Sequence, residues 1–171
     1  MVEPSGGVGL DVAMSGDGRE SVSDAPPLLL GTYEPRLDAK GRLTLPARFR
    51  PRFAGGLVMT RGQERCVAVL PADEFRRMAE RIGRLPDGDG NTRGYLRVLF
   101  SGAVDQRPDG QGRVLVPPML RRYAGLGAEV VVIGVGTRAE IWGKEAWEAY
   151  LADQEEGFAS VSEDVVPRIW S

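Results

Sequence analysis

Histidine is absent from this 171-residue chain, cysteine occurs once, and lysine occurs only at Lys40 and Lys144. Without histidine the chain lacks the commonest general base, the usual partner of a serine or cysteine nucleophile, and the commonest metal ligand. The single cysteine, Cys66, excludes an internal disulfide and a cysteine-cluster metal site. It lies in the apolar run Cys66-Val67-Ala68-Val69-Leu70, where packing in a core strand is expected. Carboxylate or lysine chemistry is left, so an enzyme is the disfavoured reading. No catalytic residue, metal site or cofactor is assigned. Long apolar runs are missing too: none approaches the eighteen or so residues of a membrane span. The start, Met1-Val2-Glu3-Pro4, has neither the basic region nor the apolar stretch of a signal peptide. The expectation is a soluble, cytoplasmic protein without a membrane partner or a small-molecule substrate.

What the chain does have is charge sorted along its length. The net charge of -2 conceals a segment 31–65 with eight cationic residues against three acids, a local net of +5. Residues 1–30 carry a net of -4 and residues 145–171 a net of -6. An anionic partner responds to the local field rather than to the total.

It also has a repeat. Asp38-Ala39-Lys40-Gly41-Arg42-Leu43-Thr44-Leu45-Pro46 returns as Asp109-Gly110-Gln111-Gly112-Arg113-Val114-Leu115-Val116-Pro117. The register continues through Phe49/Leu120 and Arg50/Arg121. With one residue of slippage it extends to Phe53-Ala54-Gly55 against Tyr123-Ala124-Gly125, and to Val69 and Phe75 against Ile141 and Trp147. A repeat of this kind changes what counts as one structural unit.

Period-two alternation predicts strands over 32–37 and 42–45 around a turn at 38–41. Gly41 supplies positive φ there, and Asp38 can bond nearby backbone N–H groups. A brief helix is expected over 46–50, ended by Pro51. A second hairpin over 57–60 and 66–70 turns at Gly62-Gln63. A helix follows Pro71 with Phe75, Met78, Ala79 and Ile82 on one face. The second copy repeats this order, with strands at 103–104, 113–116, 129–135 and 139–142 and helices at 117–123 and 143–152. Four short strands cannot bury both faces alone, but two copies can interlock around a shared core.

The expected class is therefore mainly β with short helices, in tandem units related by a pseudo-two-fold axis. The division is a disordered extension over 1–30, with order beginning near Leu28, unit 1 over 31–79, a helical connector over 80–101, unit 2 over 102–152, and an acidic tail over 153–171. The core accounts for apolar positions 43, 45, 114 and 116. Arg42 and Arg113, each just after a turn glycine, have no use in a core. Either they face an anionic partner or they close a local ion pair with Asp38 and Asp109.

The paired loops, with Pro46-Ala47-Arg48-Phe49-Arg50 after the first and Leu120-Arg121-Arg122-Tyr123-Ala124-Gly125-Leu126 after the second, resemble the paired Asp-x-x-x-Arg motifs of the MraZ family. That family is related to the swapped-hairpin proteins of the AbrB and MazE type. The resemblance covers roughly residues 31–155. It implies tandem swapped-hairpin units forming one pseudo-two-fold β-barrel domain. It further implies a ring-shaped homo-oligomer and a nucleoid-associated repressor of the division and cell wall gene cluster. Such a repressor binds double-stranded DNA at repeated G-containing boxes upstream of its own operon. By position, the DNA-contacting role falls on Arg42 and Arg113, with Lys40 beside the first. Arg36 and Arg48 are added from charge, and Arg50 and Arg52 are expected to hold phosphates beside Arg48. Asp38, Gly41, Asp109 and Gly112 shape the loops, and the glycines would let the backbone approach a duplex closely. The competing readings are a MazE-like antitoxin, whose toxin-binding tail segment 153–171 would mimic, and a ring scaffold that binds only proteins.

Overall fold

The computed structural model describes residues 24–86, 88–161 and 169–170. The first copy of the repeat folds as β1 (Thr32–Tyr33), β2 (Arg42–Thr44), α1 (Arg50–Phe53), β3 (Leu57–Arg61), β4 (Val67–Pro71) and α2 (Ala72–Gly83). After the connecting helix α3 (Gly90–Ser101), the second folds as β5 (Val104–Gln106), β6 (Arg113–Leu115), α4 (Pro118–Ala124), β7 (Val130–Gly134), β8 (Ala139–Gly143) and α5 (Lys144–Ala159). The plan is mainly β with short helices, as the pattern predicts.

Six strands form an antiparallel sheet in the order β1-β7-β8-β4-β3-β5. Exchanging equivalent strands of the two units, β1 with β5, β3 with β7 and β4 with β8, reverses this order and returns the same sheet. The pseudo-two-fold axis thus passes between β4 and β8, which pair through Val67↔Ile141, Ala68↔Glu140 and Val69↔Ala139. The ladder ends at β1 and β5. The remaining strands, β2 and β6, pair with each other, across the two units. Their ribbon contributes Leu43 and Val114 to the same core as the sheet.

That core draws on both copies at equivalent positions: Leu43 with Val114, Leu45 with Val116 and Phe49 with Leu120, all buried, and Phe53 and Ala124 join them. Burying one such large apolar side chain contributes roughly 1.5–3 kcal/mol, and here each unit buries its share against the other. A second cluster places Cys66, Val131, Ile133 and Trp142 beneath Trp147 and Tyr150 of α5. The Trp142 and Tyr150 rings lie 4.9 Å apart. Cys66 is fully buried, and burial pushes its thiol up to about 12, so it stays protonated and inert. In the first unit α3 docks through the Thr60 hydroxyl, which donates to the Leu99 carbonyl at 2.6 Å. Phe75 of α2 meets Phe100 of α3 edge-on at 5.8 Å.

Several local expectations change. The helical turn predicted over 46–50 starts at Arg50, and Pro51 opens it rather than ending it, since a first-turn residue needs no N–H partner. The hairpin turn between β3 and β4 puts its positive φ at Glu64 and Arg65, 58° and 59°, while Gly62 stays extended. Of the helical connector expected over 80–101, the first residues finish α2 at Gly83 and α3 starts only at Gly90, where the Asp89 carboxylate accepts the Thr92 N–H at 2.9 Å. The acidic tail is helical as far as Ala159, continuing α5. At the other end, Leu29 pairs with Gly136 and is 1% exposed, so residues 29–30 belong to the fold rather than to the extension over 1–30. The rest of the expected extension, residues 1–23, and residues 162–168 and 171 of the expected tail lie outside the described residues. Among the described residues no helix is long and apolar enough to cross a membrane.

Candidate nucleic-acid interface

The β2–β6 ribbon pairs Arg42 with Leu115, Leu43 with Val114 and Thr44 with Arg113. Directly opposed residues share a face and successive residues alternate. Leu43 and Val114 point into the core, so Arg42, Leu115, Thr44 and Arg113 point out. One short ribbon therefore presents both motif arginines on a single outer face, flanked by a loop at each end.

Each loop is built by its aspartate. Asp38 Oδ1 accepts the backbone N–H groups of Lys40 and Arg42, both at 2.9 Å, and Oδ2 accepts Arg42 Nε at 3.0 Å. Asp109 does the same for Gln111 and Arg113 at 2.9 Å, and for Arg113 Nε at 2.7 Å. The Arg113 backbone N–H, then its guanidinium, hold the Asp109 carboxyl down at about 2. The backbone N–H of Arg42 likewise lowers that of Asp38.

The local ion pair is thus present in both loops. It does not exclude a partner, because it engages Nε and leaves the terminal guanidinium nitrogens of both arginines outside it. An exposed ion pair of this kind adds little stability; its effect is to fix where the arginine points.

The glycines have a reason internal to the fold. Gly41 and Gly112 adopt φ of 83° and 75°, which only glycine takes easily. Both are buried, and an arginine of the opposite unit lies on each. A Cβ on Gly41 would stand 2.7 Å from Arg121 Nε, and one on Gly112 would collide with Arg50 Nε. Arg121 Nε donates to the Val116 carbonyl at 3.0 Å and Arg50 Nε to that of Leu45 at 3.3 Å. Arg50 and Arg121 are therefore cross-unit supports of the loops. Their common place in the repeat register was the only signal of this in the sequence. The glycine requirement thus has a source inside the fold, in backbone conformation and in these arginines.

The other cations separate. Lys40 stands exposed at the tip of the first loop, and Arg48 is exposed in the turn before α1. Arg52 is not available as a phosphate contact: it bonds Asp73 at 2.8 Å and lies 3.7 Å from Glu74, with its side chain 10% exposed. Arg36 is exposed but borders a different cleft, with Gly125, Ala128 and Lys144. Among the described residues no cluster of side chains could hold a metal ion.

The fold and this ribbon define a two-unit protein whose crossed hairpins carry a matched pair of Asp-x-x-Gly-Arg loops. The chain belongs to the MraZ family: the family profile described as "MraZ protein, putative antitoxin-like" matches residues 28–98 and again 99–169. The chain is 64% identical over 144 residues to a protein of Bifidobacterium longum named transcriptional regulator MraZ, covering 84% of this chain and 96% of that one. Proteins of the same name from Micrococcus luteus and Leifsonia xyli subsp. xyli are each 54% identical over 143 residues, covering 84% of this chain and all of theirs. These relatives bear the name of a regulator, not of an enzyme, in keeping with a chain that lacks histidine.

Proposed function

We propose that this chain is a transcriptional regulator that binds double-stranded DNA through the outer face of the β2–β6 ribbon. Arg42 and Arg113 read guanine, and Lys40 and Arg48 hold phosphates. The observation that carries this is the one-sided tether on each arginine: Nε is bound to the loop aspartate and the terminal nitrogens stay open. A β-ribbon fits the major groove, and an arginine there can bond O6 and N7 of guanine together. Holding the side chain in advance spares the cost of ordering it on binding, about 0.5–1.5 kcal/mol per side chain. The resemblance adds the target, repeated G-containing boxes upstream of the chain's own operon in the division and cell wall cluster, with repression as the outcome and the nucleoid as the location. It also adds a ring-shaped homo-oligomer. One ribbon covers too little surface for tight specific binding, and several weak contacts on a rigid assembly strengthen binding by about 10²–10⁴.

The test is binding of the purified chain to a duplex from directly upstream of its gene, against a scrambled duplex, at one stated salt concentration. Binding should collapse when repeated boxes are reduced to one. Equal affinity for one box and four would remove the avidity argument. Absence of binding even at low salt would favour the protein-only scaffold, and co-purification of a toxin would favour the antitoxin.

A further inference from the structure

Of the four residues on the ribbon's outer face, Leu115 is the apolar one. Leu115 is 46% exposed, although its neighbours in β6 alternate correctly between core and surface. It stands directly opposite Arg42. The two form a non-hydrogen-bonded pair, because the outward backbone groups of each are engaged elsewhere. Gln106 Oε1 accepts the Leu115 N–H at 2.9 Å, and Gln106 Nε2 donates to its carbonyl at 2.7 Å. On the other strand, Asp38 Oδ1 accepts the Arg42 N–H at 2.9 Å and the Asp38 N–H donates to the Arg42 carbonyl at 2.8 Å. Cα atoms in such a pair lie about 4.5 Å apart, against about 3.4 Å between neighbouring base pairs, so the two side chains are near enough to reach adjacent pairs. The pseudo-two-fold mate of Leu115 is Thr44, opposite Arg113, and the mate of Gln106 is Pro35, which has no amide to form the same clamp. The face is therefore matched in its arginines and unmatched beside them.

Resting on the DNA reading above, the geometry points to Leu115 as a specificity-determining residue that contacts the 5-methyl group of a thymine next to the guanine held by Arg42. A leucine offers a base edge no hydrogen bond, so the groove feature it rewards is that methyl group. Threonine offers a hydroxyl as well and accepts any base pair more evenly. The pair Arg42/Leu115 selects guanine beside thymine, while the pair Arg113/Thr44 selects guanine with a permissive neighbour. One chain therefore reads its site with a direction, although its fold is nearly two-fold symmetric.

The test uses two copies of the same duplex from directly upstream of the gene, one synthesised with thymine and one with deoxyuridine, which differ only in the methyl groups. The wild-type chain should bind the deoxyuridine copy about fourfold more weakly or worse, the worth of one buried methyl-sized group. The Leu115→Ser chain should bind both copies alike, and Thr44→Ser should keep the wild-type ratio. Leu115 is exposed, so an unchanged thermal midpoint of Leu115→Ser certifies its fold. Equal wild-type binding to both copies would overturn the inference, as would a ratio that survives in Leu115→Ser, which would trace to duplex stiffness. In either case, loss of binding in Arg42→Ala would show that the DNA reading itself stands. No binding of the wild-type chain to either copy would overturn both.

Discussion

Loops 38–42 and 109–113 share aspartate, glycine and arginine at the same three positions, with the same three hydrogen bonds to the aspartate. Around this skeleton they diverge. The first carries Lys40 where the second has Gln111. Arg48 after the first stands where Met119 follows the second, and Thr44 corresponds to Leu115. The skeleton is thus conserved between units by geometry, while the surface is divided: the first loop supplies cations and the second an apolar contact. On the DNA reading, phosphate affinity falls mainly to unit 1 and part of the sequence preference to unit 2.

The largest expected effect concerns whether the two units are separate at all. Phe53→Ala lies in unit 1, but its side chain is fully buried in the joint core. It should cost about 3–5 kcal/mol in denaturant unfolding, in a single transition that takes both loops with it. Two resolved transitions would mean that each unit holds its own core.

Next come the arginines. Arg42→Ala and Arg113→Ala should each lose about 1–3 kcal/mol on the cognate duplex and flatten discrimination against a G→A change. An even loss on all duplexes would reduce that arginine to a phosphate contact. The aspartates sharpen the point. Asn at position 38 or 109 can still accept backbone N–H groups but is a poorer partner for Nε. Asp38→Asn and Asp109→Asn should therefore weaken binding roughly 2- to 12-fold, the range for ordering one freed side chain. Unchanged affinity would mean that the tether does nothing.

A finer cut exchanges the surfaces of the two loops. Lys40→Gln should reduce the slope of log K against log salt by about 0.9, as should Arg48→Ala, and Gln111→Lys should raise it by a similar amount. Arg52→Ala should leave the slope alone, because Arg52 serves the α1–α2 contact with Asp73.

The smallest expected effect is with pH. A depressed carboxylate contributes above its unfolded value, near 3.8, and its contribution fades as pH falls toward about 2 for Asp109. With no histidine in the chain, binding measured from pH 5 to 8 should be flat. A step in that window would point to a titrating group outside this account.

Much of this was readable before the structure. The loops follow from local rules: aspartate bonding backbone two and four residues on, and glycine at positive φ. The swapped order of the sheet follows from two short apolar patterns that neither copy can bury alone. What escaped was mostly tertiary. Nothing local says that Arg50 rests on Gly112 and Arg121 on Gly41, since each contact joins the two copies. Nor does the sequence say that Arg52 is taken by Asp73, 21 residues away. The continuation of α5 through residues 153–159 was missed for a different reason. That stretch has no apolar period to signal a packed face, and its good helix formers Gln154, Glu155 and Glu156 are followed by Gly157, a poor one. Pro51 is compatible with ending a helix or opening one, and only the chain's path toward Phe53 selects the second.

The central claim is that two tethered arginines on one ribbon read DNA. The direct measurement is a salt-controlled binding titration of the wild-type chain and the Arg42→Ala/Arg113→Ala double variant against the upstream duplex and its scrambled counterpart. The wild type should prefer the upstream duplex, and the double variant should bind both weakly and equally. A double variant that keeps the wild-type preference would contradict it.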